Sequence, residues 1–417
     1  MQAKCSLSTI ATTLSMLLGA SSCLWGSAHA QTVPVFDGHN DLPWQYYKRH
    51  DNRLSEMDVA RDLDELDPPL HTDIPRLRKG GVAAQFWSVY VPIDQYDGKA
   101  GDAAAVMGQM DVVRRLVERY PDDLALALSA DDVEAAVSEG KIASLMGIEG
   151  GHAIENSLGV LRSLYATGAR YMTLTHGLSL SWADSATDIP RHDGLTEFGV
   201  AVVQEMNRLG MLVDLSHVSE AAMHDALDAS VAPVIFSHSS AREITDHPRN
   251  VPDSVLQRMS ENGGVVMVTF VTGFVSQAQR DWYLAHDGEA ARLGAVYKLD
   301  PQMQEKALAA WKTDNPMPGA SLSDVADHID HVRKVAGIEH VGLGGDFDGI
   351  TDVVNGLEDV ATYPALFDEL RRRGYSETDL LAIGSGNVMR VLSANERIAA
   401  QLQQQSLAQD EPLAVAE

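Results

Sequence analysis

Eight short apolar runs, rich in β-branched residues, recur along the chain with helix-like stretches between them. They lie at 33–36, 82–91, 142–148, 169–175, 211–215, 233–237, 264–270 and 340–344. Most are nearly continuous in apolar residues, the pattern of strands buried on both faces of a parallel sheet. The intervening stretches carry helix signals. Ser129 with Asp132 reads as a capping box. Thr196 and Ser219 read as N-caps, Gly210 as a helix end and Pro252 as a first-turn residue. A further helix at 323–335 leads to Gly337 and the eighth run. The repeated alternation predicts an α/β fold, a (β/α)8 TIM-like barrel. A doubly wound open sheet would use the same local patterns.

The spacing is uneven in one place. After the seventh run, 272–322 reads as an insertion with helical pieces of its own, such as 302–311. In a barrel it would leave the sheet on the catalytic face. No shift in composition marks a second domain, so 31–400 is expected to be one barrel domain, a length that α/β barrels reach. Residues 1–30 differ. Their only charge is Lys4, an apolar run follows, and Ala28-His29-Ala30 is a small-x-small site. This predicts a signal peptide cut after Ala30, and hence a secreted or periplasmic protein. Ala20-Ser21-Ser22-Cys23 offers lipid attachment at Cys23 as the alternative. Residues 401–417 read as a polar, acidic tail.

Both cysteines, Cys5 and Cys23, fall inside the leader. The remainder therefore has no disulfide and no thiolate, and metal binding must use histidine and carboxylate. The formal net charge of −27 argues against nucleic acid and anionic membrane as partners. No later run reaches the roughly 18 apolar residues of a membrane span.

Residues of metal-ligand type follow most of the strands. They are His39 and Asp41 after the first, Glu149 after the third and His176 after the fourth. His217 follows the fifth, His238 the sixth, and Asp346 and Asp348 the eighth. In a barrel these ends converge on one rim. Each residue alone is weak evidence, because histidines near strands are usually structural and aspartates in Gly-rich turns are usually turn chemistry. Together they mark six of eight strand ends, four of them with histidine. His152 reads as structural, and His328 and His331 as a solvated helix face. Imidazole and carboxylate without thiolate suit zinc or a similar divalent ion. One catalytic ion needs about three protein ligands. The five candidates His39, Asp41, Glu149, His217 and His238 suit two ions sharing a carboxylate. The Gly-Gly pairs after Glu149 and before Asp346 would permit close approach.

With these residues assembled, the sequence resembles the renal (membrane) dipeptidase family of zinc peptidases, in its bacterial exported branch. The likeness runs from about 35 to 392. It rests on DGHNDLP (37–43), EGGH (149–152), RYMTLTH (170–176), DLSHVS (214–219), PVIFSHSS (233–240), RNVPD (249–253) and GGDFDG (344–349). The resemblance implies two Zn2+ per chain. His39 and Asp41 would hold one, His217 and His238 the other, and Glu149 would bridge them. His176 would contact the scissile carbonyl, and Arg249 would grip the free carboxylate of a dipeptide. Asp346 would move the proton; Asp348 is the other candidate, and Asp346 is preferred as nearer the strand end. Acceptance of a D-residue at the C-terminal position is expected. Unlike mammalian members, the chain lacks disulfides and a lipid-anchor signal, and its insertion is longer. A homodimer is the preferred assembly.

The runner-up is a related amidohydrolase-type barrel acting on another amide, lactam or ester. Such enzymes more often carry His-x-His on strand one and a bridging lysine; here the pair is His-x-Asp and the bridge candidate is Glu149. A non-catalytic binding protein on the same barrel would be expected to have lost ligands, and none of the five is missing.

Overall fold

The apolar runs fold as parallel strands because their backbone polar groups must be paired while both faces are buried. The structure, a computed structural model, describes residues 32–93, 102–405, 407–408 and 410. The strands are β1 (Val35–Asn40), β2 (Val82–Tyr90), β3 (Leu124–Leu126), β4 (Ile142–Glu149) and β5 (Ala169–Thr173). Then come β6 (Leu212–Asp214), β7 (Ile235–Phe236), β8 (Val265–Val268) and β9 (Val341–Leu343). Neighbours follow the order β2-β1-β9-β8-β7-β6-β5-β4. The ring closes where β2 pairs with β4, from Ala84 opposite Ala143 to Tyr90 opposite Glu149. This is a closed eight-stranded parallel barrel with alternating helices, and the open-sheet alternative falls.

β3 was not foreseen. Its three residues, too few to set a period, pair with the start of β4 on the edge that β5 uses further along. β1 also runs past the apolar stretch that announced it, through Asp37, Gly38, His39 and Asn40. Ladder bonds to β2, and not composition, carry it there: Asn40 stands opposite Trp87, with an irregularity between Asp37 and Asn40.

The period of two along each strand decides what faces the barrel axis. One buried cluster joins Phe36, Phe86, Leu145, Tyr171, Leu212, Ile235 and Met267 with Val388, Val391 and Leu392 of the last helix. Stepping two residues on from Phe86, Tyr171, Leu212 and Ile235 reaches Ser88, Thr173, Asp214 and Ser237; four on from Leu145 is Glu149. All five polar residues are buried. The barrel interior is thus apolar for most of its depth and polar in the layer beneath the carboxyl ends of the strands. A second, larger cluster lies between the barrel and its surrounding helices.

Local signals place the helices. Thr196 caps Glu197–Leu209 by accepting from the Gly199 amide, and Gly210 ends it at φ 87. Ser219 caps Glu220–Ala229 through the Ala222 amide. Ser129 caps Ala130–Ser138, but the box is not reciprocal: Asp132 reaches past it to the Leu128 amide at 2.9 Å. The segment after Pro252 breaks into two short helices, Asp253–Leu256 and Met259–Asn262. The insertion holds Thr272–Val275, Gln277–Val296 and Pro301–Asp314. The last helix, Asn387–Gln405, extends into the stretch read as a tail. The signal-peptide and Cys23 readings fall on 1–31, outside the described residues. Among the described residues, no helix is long and apolar enough to cross a membrane.

His328 corrects an expectation. It does not lie on a solvated face; it is fully buried, with Nδ1 accepting from the Ala241 amide at 2.9 Å and Nε2 at 3.2 Å from the Val275 carbonyl oxygen. His331 is partly covered and meets Asp253 Oδ1 at 2.7 Å. The helix Leu322–Ala336 uses this side to clasp the turns after β7 and β8, an arrangement that charge pattern alone does not reveal.

Candidate active site

Glu149, the last residue of β4, stands at the centre of the rim. Its two carboxylate oxygens face different partners. Oε1 lies 3.1 Å from His217 Nε2, 3.5 Å from His238 Nε2 and 3.6 Å from His176 Nε2. Oε2 lies 3.6 Å from His39 Nε2 and accepts from Ser88 Oγ at 3.2 Å. His39 Nε2 is also 3.3 Å from Asp41 Oδ2 and 4.0 Å from Asp346 Oδ1. Seven side chains from six strand ends thus meet at the rim: His39 and Asp41 from β1, Glu149 from β4, and His176, His217, His238 and Asp346 from beyond β5, β6, β7 and β9.

The electrostatics suit cation binding. Burial disfavours the charge on Glu149, but His39, His176 and His217 outweigh it and hold the carboxyl well below its usual range. Burial, Arg249 and His176 push His217 well below the ordinary imidazole range; burial, His39 and Arg249 do the same to His238. Neutral imidazole is the form that ligates. His39 Nε2 is buried and makes no hydrogen bond. Three overlapping groups have ligand atoms within 4.8 Å of one another: His39, Glu149 and His238; Glu149, His176 and His217; and His39, Asp41 and Asp346. Nitrogen and carboxylate donors without sulfur fit zinc.

Residues 27–406 match the membrane dipeptidase family, peptidase family M19. The chain belongs to the membrane dipeptidase family. Dipeptidase 3 of Rattus norvegicus is 41% identical over 370 residues, a match covering 88% of this chain and 66% of that protein. A metallo peptidase from Rhodobacter sphaeroides, liganded with a phosphinate mimic of the dipeptide L-Ala-D-Ala, superposes with a TM-score of 0.69 at 25% identity. That likeness covers 88% of this chain and all of the other. The probable dipeptidase PvdM of Pseudomonas aeruginosa shares the fold with a TM-score of 0.74 at 22% identity, over 88% of this chain and 96% of that one.

Two turns aim the membrane dipeptidase side chains. His217 sits at φ 71 and Asp346 at φ 61, left-handed conformations in which His and Asp are enriched among non-glycine residues. Backbone at φ > 0 just past a strand end is a feature that functional sites often retain. The glycine pairs do allow close approach. Gly150 lies at φ +117, and a Cβ on Gly344 would stand 1.8 Å from the Ser237 carbonyl oxygen. The two aspartates of the 344–349 turn then separate. Asp346 lines the pocket, and burial with the neighbouring Asp41 charge raises its pKa well above the usual carboxylate range. Asp348 turns away: its Oδ1 accepts from the His71 amide at 2.7 Å, and its own amide donates to His71 Nδ1 at 3.0 Å.

The pocket encloses about 310 Å3. Of the cluster, all but His39 line it, together with Trp44, Tyr90, Arg249, Val271, Phe274, Gly349 and Ile350. Phe274 lies in the first helix of the insertion, just after Val271, so the insertion does contribute to the pocket wall. Arg249 is buried, with its guanidinium 5.4 Å from the centre of the Phe274 ring. Burial lowers its pKa to about 10, against the pull of Asp346 and Glu149. Its side-chain hydrogen bonds are long, 3.4 Å to Ser239 Oγ and 3.5 Å to the His238 carbonyl.

His152, set aside as structural, places Nε2 2.9 Å from the Val91 carbonyl oxygen. Several supporting residues went unread. Tyr171 places its hydroxyl 2.8 Å from His39 Nδ1, and Ser88 holds Glu149. Both face the axis, and the period-two register of β2 and β5 could have identified them. Trp44, Tyr90 and Phe274 carried no such signal, because their approach depends on how helix and loop pack over the rim.

Proposed function

We propose that this chain is a di-zinc dipeptidase that hydrolyses the single peptide bond of dipeptides and tolerates a D-residue at the C-terminal position. The observation that carries the reading is Glu149, with separate imidazole sets facing its two oxygens. His39 and Asp41 would hold one ion, His217 and His238 the other, and Glu149 would bridge them. When bound, the ions supply Lewis-acid chemistry, polarising the scissile carbonyl and lowering the pKa of the attacking water.

The protein's own groups complete the reaction. His176, its ring between Tyr90 and His217 at 4.7 and 4.3 Å, directs Nε2 to the rim and can stabilise charge developing on the carbonyl oxygen. Asp346 takes the proton from the attacking water and returns it to the leaving amine nitrogen. Arg249 receives the substrate's free carboxylate, and Phe274 packs against its guanidinium. The likeness to a protein that holds an L-Ala-D-Ala mimic supports tolerance of D-residues. A screen of dipeptide stereoisomers tests the function. Hydrolysis of L,L and L,D pairs with tripeptides spared is expected, and preference for lactams or esters would overturn it.

Arg249 makes the enzyme selective for two residues. With the scissile carbonyl at the metals, only a carboxylate one residue beyond reaches a two-pronged grip. A longer peptide brings a neutral amide there. A hydrogen bond to a charged group contributes about 1.5–3 kcal/mol. Arg249→Met is therefore expected to lower kcat/KM for dipeptides by about 10–150-fold with metal content unchanged. Dipeptide amides should be poor substrates and little affected. If the wild-type protein cleaves amides as fast as free dipeptides, Arg249 does not set the length.

We also infer export, from the sequence of 1–30. Mass spectrometry of the protein from its native host should find Gln31 as the first residue. A lipid-modified Cys23 would instead support the alternative, and an intact Met1 would refute both.

A further inference from the structure

Beneath His238 lies a chain of hydrogen bonds that the proposed reaction does not use. Asp214, fully buried at the end of β6, is its hub. Oδ1 accepts from the backbone amides of Ser216 at 3.1 Å and Ser237 at 2.8 Å. Oδ2 is approached by two hydroxyls, Thr173 Oγ1 at 2.5 Å and Ser237 Oγ at 2.6 Å. Ser237 Oγ in turn lies 2.8 Å from His238 Nδ1. The opposite ring nitrogen, His238 Nε2, points at Glu149 and His217.

Proton counting gives this chain a direction. A serine hydroxyl has one hydrogen to donate. A carboxylate oxygen only accepts, so the short contact to Asp214 uses that hydrogen. Ser216 Oγ, the other acceptor in reach, is much farther at 3.5 Å. Toward His238 the Ser237 oxygen can then only accept, which puts the ring proton on Nδ1. Nε2 is left with its lone pair facing the site.

We propose that Asp214, acting through the Ser237 hydroxyl, holds His238 in the tautomer whose Nε2 ligates metal. Asp214 is a positioning residue: its carboxylate is bonded to Ser216, Ser237 and Thr173 and would act on the site only through His238. The proposal rests on the reading of His238 as a ligand.

Asp214→Asn separates this role from packing. The amide keeps the shape, and its oxygen can keep both backbone amides. The NH2 then occupies the Oδ2 position and donates to Ser237 Oγ. The serine hydrogen turns to His238 Nδ1, and the ring must carry its proton on Nε2. Partners that orient a ligating histidine are worth about 10–100-fold in metal affinity. Zinc titration of the metal-free protein against a chromophoric chelator should show two ions bound by wild type. In Asp214→Asn one ion should weaken by about 10–100-fold while the other binds as before. Ser237→Ala, which removes the link and leaves Asp214 in place, should weaken the same ion. His238→Ala should lose that ion outright. If His238→Ala loses an ion but Asp214→Asn and Ser237→Ala bind both like wild type, the positioning role is wrong and the ligand reading stands. Equal weakening of both ions in the two variants would mean general loosening, and would also overturn it. If His238→Ala binds both ions like wild type, the ligand reading falls and the proposal with it.

Discussion

Asp346→Asn is expected to lower kcat for dipeptides by about 10²–10⁴-fold while the protein keeps its metal, the range that a positioned acid/base contributes. The asparagine is nearly isosteric and, like aspartate, tolerates the left-handed backbone at φ 61, so the turn should survive. What it lacks is a site that can take up and release a proton. The carboxylate lies 4.0 Å from His39 Nε2, farther out than Asp41 at 3.3 Å, which suits a group that works beside the ions. Asp348→Asn is the control. Its Oδ1 would still accept from the His71 amide, and its side chain is tied outside the pocket. Little change in rate is expected there. Measured kcat for the two variants decides the assignment: a silent Asp346→Asn beside a crippled Asp348→Asn would reverse it.

Glu149→Gln should be more severe, because in the proposed site it removes the group that both ions would share. An amide offers one acceptor oxygen where the carboxylate offers two, and its NH2 would be directed at imidazoles that need to ligate. Lewis-acid stabilisation is worth several kcal/mol of barrier. At about 1.4 kcal/mol per decade, its loss predicts a fall in kcat of about 10³-fold or more. Metal content should fall with the rate, unlike in Asp346→Asn. Metal analysis beside kinetics distinguishes the two. A Glu149→Gln protein that keeps full metal and full rate would remove the bridging role.

Much of this was legible in the sequence because two simple periods govern it. Eight buried parallel strands read as apolar runs, and ligand-type residues just past them had to meet once the ring closed. His39, Asp41, Glu149, His176, His217, His238 and Asp346 could therefore be gathered before any distance was known. What escaped depends on depth and packing. β3 is a three-residue strand with no period of its own. The polar layer of Ser88, Thr173, Asp214 and Ser237 faces the axis, but in sequence it looks like ordinary polar strand ends. Its meaning comes from register. His328 looked solvated because charged residues flank it, and only the packing of its helix against two turns buries it. The insertion was visible as a length anomaly, yet the placement of Phe274 beside Arg249 required the short helix that begins it.

The number of ions that activity requires tests the account most directly. Metal-free protein should be titrated with zinc while the hydrolysis of a free dipeptide is followed. Activity is expected to rise until two ions are bound per chain, and chelation should abolish it. Full activity at one ion per chain, or hydrolysis that persists without metal, would contradict the two-metal site built on Glu149.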